Sequence, residues 1–203
     1  MKPYSPASDR NRDPILAVLL RHFSAARTVL EIGSGTGQHA VYFAQAMPAL
    51  TWQCSDRASH LAGICQWLDE AQLPNTPPPL ELDVATGPWP GAKFDAVFSA
   101  NTLHIMSWEE VQAFFRGLDA VLAKSATLVV YGPFNYGGTF TSESNREFDA
   151  SLRARDPRMG IRDFEAVNTL ARNIGLQLIE DVAMPANNRC LVWQRSSLQE
   201  RLP

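Results

Sequence analysis

Three kinds of side chain in this sequence carry chemistry: acids that close short β-type runs, a histidine after a buried strand, and amides in turns. Glu31, Asp56 and Asp83 each lie at the end of a short run that reads as a strand. A carboxylate there can accept hydrogen bonds from hydroxyl or amino donors. Asp56 stands 25 positions after Glu31, near the spacing at which an acid meets ribose hydroxyls in βαβ nucleotide folds. The alternative for Asp56 is a cap for the next helix, and for Asp83 an ordinary turn. His104, in Asn101-Thr-Leu-His-Ile-Met106, is the leading proton acceptor, because imidazole takes a proton near neutral pH. Its other reading is a wall residue that packs or hydrogen-bonds. Asn101, Asn135, Tyr136, Asn187 and Asn188 could orient a ligand, although Asn is equally common turn chemistry. Cys54, Cys65 and Cys190 are odd in number and lack a metal-ligand spacing, so no metal is expected and the thiols read as reduced and mostly buried.

The element that must position these groups is Thr28-Val-Leu-Glu-Ile-Gly-Ser-Gly-Thr-Gly-Gln-His39. A strand-like run ends in three glycines on alternate positions, Gly33, Gly35 and Gly37, and Gln38 to Ala44 reads as a helix. Strand, glycine turn and helix open a nucleotide-binding α/β unit, in which backbone approaches a ligand closely. A dinucleotide fingerprint, G-x-G-x-x-G, needs its third glycine at position 38, where Gln38 stands instead.

Around this turn the chain alternates strands and helices. Residues 1–12 are polar and turn-like, and Asp13-Pro14 reads as an N-cap with proline at the first helical position, followed by an apolar stripe from Ile15 to Phe23. Strands are predicted over 50–56, 80–84, 94–100 and 127–131, and helices over 58–71, 108–123 and 163–174. The second helix is capped by Ser107 and the third ended by Gly175. A further helix carries Phe148 and Leu152, and Gly132 to Gly138 forms an aromatic and amide loop. Leu176 to Ala183 and Arg189 to Gln194, joined by a Pro/Asn turn, read as a terminal hairpin. Tyr131 and Trp108 are pocket wall or core, His22 and His60 helix surface, and His39 structural or on the cofactor side.

The chain has 203 residues, enough for a single α/β domain over 1–203. Hydrophobic residues at 45% and charged residues at 19% make it globular. Net charge is −3 with no Lys/Arg block, which argues against a broad nucleic-acid surface. The N-terminus lacks the apolar core of a signal peptide, and no apolar run reaches membrane length. The expectation is therefore cytoplasmic, with no membrane partner; oligomeric state is not legible.

Glu31-x-Gly-x-Gly-x-Gly37 resembles motif I of the class I S-adenosylmethionine-dependent methyltransferases. Five blocks together are similar to the methyltransferase-like 26 family, also catalogued as domain of unknown function 938. They are Lys2-Pro-Tyr-Ser-Pro with Arg10-Asn-Arg-Asp-Pro14, Glu31 to His39, Phe98 to Met106, Tyr131 to Gly138, and Met184 to Arg189. The resemblance covers nearly the whole chain. It implies a Rossmann-like class I methyltransferase fold: a mostly parallel seven-stranded sheet, helices on both faces and a C-terminal antiparallel hairpin. It implies S-adenosylmethionine as cofactor, with Gly33, Ser34, Gly35 and Gly37 under the methionine part and Glu31 balancing its positive groups. Asp56 and Arg57 would lie at the ribose, Asp83 and Val84 at the adenine, and Asn101 at the cofactor amino group. The segment 1–25 would flank the cofactor mouth, with Tyr4, Asn11 and Arg12 folding over it.

Methyl transfer from a sulfonium is an in-line displacement, so a protein chiefly aligns nucleophile and methyl group and excludes water. The expected activity is transfer to a small-molecule acceptor, with His104, Asn135 and Tyr136 as candidate catalytic residues. The alternatives are a non-catalytic S-adenosylmethionine-binding regulator, an NAD(P)-dependent oxidoreductase, and a structured-RNA or protein methyltransferase. The third of these is weakened by the acidic balance and by the missing Asn-Pro-Pro-Tyr type motif after Ala100.

Overall fold

The computed structural model describes residues 2–196. Its elements run α1 (Pro6–His22), β1 (Thr28–Ile32), α2 (Gln38–Ala46), β2 (Thr51–Asp56), α3 (Ala58–Ala71), β3 (Leu80–Glu81) and β4 (Phe94–Ala100). Then come α4 (Trp108–Val121), β5 (Leu122–Gly132), β6 (Phe134–Asn135), α5 (Glu143–Arg155), β7 (Arg162–Asp163), α6 (Phe164–Asn173), β8 (Leu176–Met184) and β9 (Asn188–Arg195). Seven strands form one sheet in the order β3-β2-β1-β4-β5-β9-β8. β1 pairs in parallel with β2 and β4, and β4 in parallel with β5. β9 enters antiparallel between β5 and β8, completing the predicted hairpin.

Both faces of the sheet are covered, which is why its central strands read as continuous apolar runs. Side chains alternate between the faces, as the pleat demands. Leu30, Val97, Leu128 and Val130 meet Phe114, Phe115 and Leu118 of α4 and Val167 of α6. Val29, Phe98 and Val129 meet Ile15, Val18 and Leu19 of α1, Phe43 of α2 and Ile64 of α3. The Ser107 cap is a full capping box: its hydroxyl accepts from Glu110 N–H, and the Glu110 carboxylate accepts from Ser107 N–H.

The N-terminus departs from expectation. α1 begins at Pro6, capped by Ser5, whose Oγ accepts from Ser8 N–H at 3.4 Å, and Pro14 lies inside the helix. Two Ser/Asp-Pro starts compete in the sequence, and tertiary contacts choose the earlier one. Asn11 is buried against α2, where it accepts from His39 Nε2 at 2.7 Å. These bonds outweigh the one backbone hydrogen bond that Pro14 removes. The loop after β5 also differs: β6 pairs in parallel with β7, and this two-residue ladder draws Asn135 and Tyr136 toward α6.

Candidate functional site

The C-terminal ends of β1, β2, β4 and β5 share one edge of the sheet, and the chain order reverses between β1 and β4. Such a switch point is where open α/β sheets bind ligands. A cavity of about 740 Å³ lies there, within the size range of small-molecule sites.

Its floor is the glycine turn, and the three glycines serve different ends. Gly33, Gly35 and Gly37 all have positive φ, at 75°, 58° and 90°, a region that favours glycine. A Cβ on Gly33 would stand 2.5 Å from Thr102 Cγ2, and one on Gly37 would stand 3.2 Å from the backbone of α3 at Ile64. A Cβ on Gly35 would meet no protein atom within 4 Å. Gly33 and Gly35 both line the cavity, Gly35 with open space where a Cβ would stand, whereas Gly37 is a helix-contact glycine outside the lining.

Asp56 ends β2 and is buried at the cavity wall. Its Oδ2 accepts from Gly35 N–H at 2.7 Å, and its Oδ1 accepts from Arg57 N–H and His60 Nδ1, each at 2.7 Å. One carboxylate therefore fixes the glycine turn, with three of its roughly four acceptor sites already filled and one left on Oδ2. His60, read from the sequence as helix surface, lines the cavity beside it. Arg57 does so too, with its guanidinium held by Glu110 at 2.7 Å and Asp83 at 3.2 Å.

Asp83 itself does not reach the cavity. Its carboxylate accepts from Ala85 N–H at 2.9 Å and pairs with Arg57, which is turn chemistry. Val84 does line it, with Ile32 and Leu82, as an apolar slot. Glu31 lies behind the glycine turn and not on the wall. Its Oε2 accepts from Ser34 Oγ and Trp52 Nε1, both at 3.0 Å. Burial pushes the carboxyl up to about 7, against the pull of those two bonds and with help from the charge of Asp56.

The roof of the cavity comes from the N-terminal segment, through residues other than Tyr4, Asn11 and Arg12. Pro3, Ser5, Ala7 and Ser8 line the cavity. Tyr4 is 59% exposed and bonds Asp9, Asn11 is turned to His39, and Arg12 stacks 4.5 Å over the Tyr42 ring. The roof is tied down by Gln38, whose Oε1 accepts from Ser5 N–H at 2.5 Å, and by Trp67, whose Nε1 donates to Pro3 O at 2.7 Å. The residue that replaces the dinucleotide glycine is thus a clamp on the roof. His39 lines the cavity with Nε2 donating to Asn11, and burial lowers its pKa to about 4.

The loop after β4 closes the far end. Asn101 adopts φ +58°, which Asn tolerates, and its N–H donates to Tyr131 O at 2.8 Å. Thr102 bonds Ser99, which bonds Ile32 O, each at 2.7 Å, so this loop is fastened to β1. His104, Ile105 and Met106 then face the cavity together with Phe148 of α5. Among the described residues neither ring nitrogen of His104 has a protein hydrogen-bond partner. Asn135 and Tyr136 lie outside the lining: Asn135 is buried, and the Tyr136 hydroxyl donates to Asp181 at 2.8 Å.

Of the sequence-predicted site residues, Gly33, Ser34, Gly35, Asp56, Arg57, Val84, Asn101 and His104 meet at this cavity. Tyr4, Asn11, Arg12, Glu31, Gly37, Asp83, Asn135 and Tyr136 do not. The roof residues, His60, Thr102, Ile105, Met106 and Phe148 escaped the sequence reading. For His60 a signal existed, since it stands four positions after Asp56 on the following helix.

Sheet order, antiparallel hairpin and glycine turn together define the Rossmann-like fold of the class I methyltransferases. Solved structures agree. An O-methyltransferase family protein from Burkholderia thailandensis superposes with a TM-score of 0.82 at 18% identity, over 92% of this chain and 57% of that one. An O-methyltransferase family 2 protein from Planctomyces limnophilus, in complex with apigenin, gives 0.80 at 13% identity over 91% and 56%. Human N-acetylserotonin methyltransferase, in complex with S-adenosylmethionine, gives 0.79 at 12% identity over 94% and 53%. At these identities the likeness is one of fold, and the chain spans a little over half the length of each. Residues 2–195 match the family described as protein of unknown function DUF938, and the chain belongs to that family. Among the described residues no helix is long and apolar enough to cross a membrane, and no group of His, Cys, Asp and Glu could hold a metal ion.

Proposed function

We propose that this protein transfers the methyl group of S-adenosylmethionine to a small-molecule acceptor. The observation that carries the reading is the continuity of the cavity, from the Asp56-anchored glycine turn at one end to the unpartnered imidazole of His104 at the other. Its volume of about 740 Å³ has room for donor and acceptor side by side. In this reading the acceptor site left on Asp56 Oδ2 takes a ribose hydroxyl, with His60 steering the carboxylate. Ile32, Leu82 and Val84 take the adenine, and Gly33, Ser34 and Gly35 run beneath the methionine part. When bound, S-adenosylmethionine supplies an already activated methyl group. The residues of this chain then have to orient the acceptor and keep water out. His104 is the candidate catalytic residue, placed to hydrogen-bond the accepting atom.

The reading extends to kinship with the methyltransferase-like 26 proteins, to a single methyltransferase domain over 1–203, and to a cytoplasmic setting in which the three free thiols stay reduced. The NAD(P) alternative is disfavoured by Gln38, whose side chain is spent on Ser5. Parallel calorimetric titrations with S-adenosylmethionine and NADH test the assignment. Binding of the first alone supports it, and binding of NADH alone overturns it. Tight S-adenosylmethionine binding without turnover across a broad acceptor set would favour a regulatory binding module.

A further inference from the structure

Resting on the methyl-transfer reading, the acceptor end of the cavity narrows the chemistry of what is methylated. Four side chains build that end: His104, Ile105, Met106 and Phe148. The Phe148 ring stands edge-on to the imidazole with centroids 5.3 Å apart. Ile105 and Phe148 remain 47% and 37% exposed, an apolar rim suited to a ligand with a flat hydrophobic body.

The charges that act on the His104 ring are one-sided, Arg162 and Arg155. Arg162 braces the His104 loop from beneath, donating to the carbonyls of Leu103 at 3.1 Å, Arg158 at 2.8 Å, and Met106. Arg155, two helical turns after Phe148 on α5, has no partner among the described residues. Of the acids on neighbouring elements, Asp149 and Glu110 are paired, while Glu109 and Glu147 are exposed. Asp149 of α5 accepts from Arg153 Nε and Ile161 N–H, each at 2.7 Å. Glu110 of α4 accepts from Arg57 and Ser107, and Glu109 is exposed in the first turn of α4.

These contacts decide what His104 can do. A histidine that removes a proton is steadied as imidazolium by an acceptor on its other nitrogen. His104 has none, and its ring instead feels Arg162 and Arg155. Burial, with those two charges, lowers its pKa to about 4. A sulfonium bound beside it would add a further positive charge. An imidazole so placed stays neutral and keeps an N–H to give. The same field opposes a protonated amine and favours an anion.

We propose that the acceptor is a small aromatic hydroxyl compound that loses its proton to solvent before transfer and reacts as the phenolate. Its ring lies against Phe148 and Ile105, and its oxygen accepts a hydrogen bond from neutral His104. The oxygen lone pair attacks the methyl carbon; the O–C bond forms as the C–S bond breaks, and the breaking pair stays on sulfur. The products are an aryl methyl ether and S-adenosylhomocysteine, and no proton remains for the protein to take.

The probe is 4-nitrophenol, whose phenolate absorbs visible light while the phenol does not. It is titrated against the full chain with S-adenosylhomocysteine present, and absorbance is followed against pH. The expected result is that the bound probe ionises at lower pH than the free one. Arg155→Gln, a change at an exposed unpartnered residue, should weaken phenolate binding roughly threefold, as a surface charge would. In turnover assays with phenols of graded acidity, the pH midpoint of kcat/KM should move with the pKa of the acceptor. Benzylamine, protonated at the assay pH, should be inert. A bound probe that stays protonated, a pH midpoint fixed whichever phenol is used, methylation of benzylamine, or no binding of 4-nitrophenol would each overturn the proposal. Failure of S-adenosylmethionine itself to bind would strike instead at the underlying methyl-transfer reading.

Discussion

Replacing Asp56 by alanine separates the ligand role of this residue from its structural one. The carboxylate holds the Gly35 and Arg57 amides and the His60 ring, all at 2.7 Å. All three donors border the cavity, so water replaces the lost acceptor in the free protein, and the stability cost should be only about 1–2 kcal/mol. With S-adenosylmethionine bound, a ribose hydroxyl would lose a charged acceptor worth about 1.5–3 kcal/mol. The Gly35 turn would in addition lose its anchor. A loss of about 2–3 kcal/mol corresponds to a Kd raised about 30- to 150-fold. Isothermal titration with S-adenosylmethionine reads that change, and a urea melt shows that the variant is folded. Asp56→Asn keeps one acceptor oxygen and should fall between the two. A folded Asp56→Ala protein that binds with unchanged Kd would refute the ribose assignment and the directing role given to His60.

His104→Ala should leave the S-adenosylmethionine Kd unchanged by calorimetry and lower kcat/KM for the acceptor about 30-fold, the worth of one charge-assisted hydrogen bond of about 2 kcal/mol. Glu31 imposes a pH dependence on stability. The native carboxyl keeps its proton up to about 7, while the unfolded one loses it near 4.5. The native state therefore binds more protons between those values, and stability falls by about 2–3 kcal/mol as pH rises through that window. Urea midpoints from pH 4.5 to 8 should trace this fall, and Glu31→Gln should flatten it. Gly33→Ala would drive a Cβ to 2.5 Å from Thr102 Cγ2 and should cost about 2–3 kcal/mol in a urea melt. Gly35→Ala meets open space, so it should cost only about 1 kcal/mol of backbone strain while weakening donor binding by calorimetry.

The parts of the fold set by local physics were legible. Apolar runs gave β1, β2, β4 and the terminal hairpin, and the Ser107-x-x-Glu110 box marked the start of α4. The glycine spacing placed the cavity floor and Asp56 its wall. What escaped was set by contacts between residues distant in sequence. Phe148 meets His104 across 44 positions, and helical periodicity reports which face is apolar but not what a half-exposed ring will touch. Asn135 and Tyr136 sit beside a turn that resembled a ligand loop, yet pairing with Arg162-Asp163 turns them elsewhere. At the N-terminus two equivalent capping signals stood eight residues apart, Ser5-Pro6 and Asp13-Pro14. Tertiary contacts discriminate between them: the buried Asn11–His39 bond, the Gln38 clamp and the Trp67 bond to Pro3.

α1 joins two separated places. Its first turn roofs the cavity, and its last turn carries Arg21 and His22, which contact Glu180 of β8 at 3.1 Å and 2.5 Å. Seventeen residues make a rod about 25 Å long. The rod carries a proline at its middle, the position at which helices bend most readily. Any ligand that draws Ser5 and Ser8 inward must therefore either flex the rod at Pro14 or lever its far end against the outermost strand. Occupancy of the pocket would then be readable at Glu180, on the opposite margin of the sheet, by a reporter that never approaches the ligand.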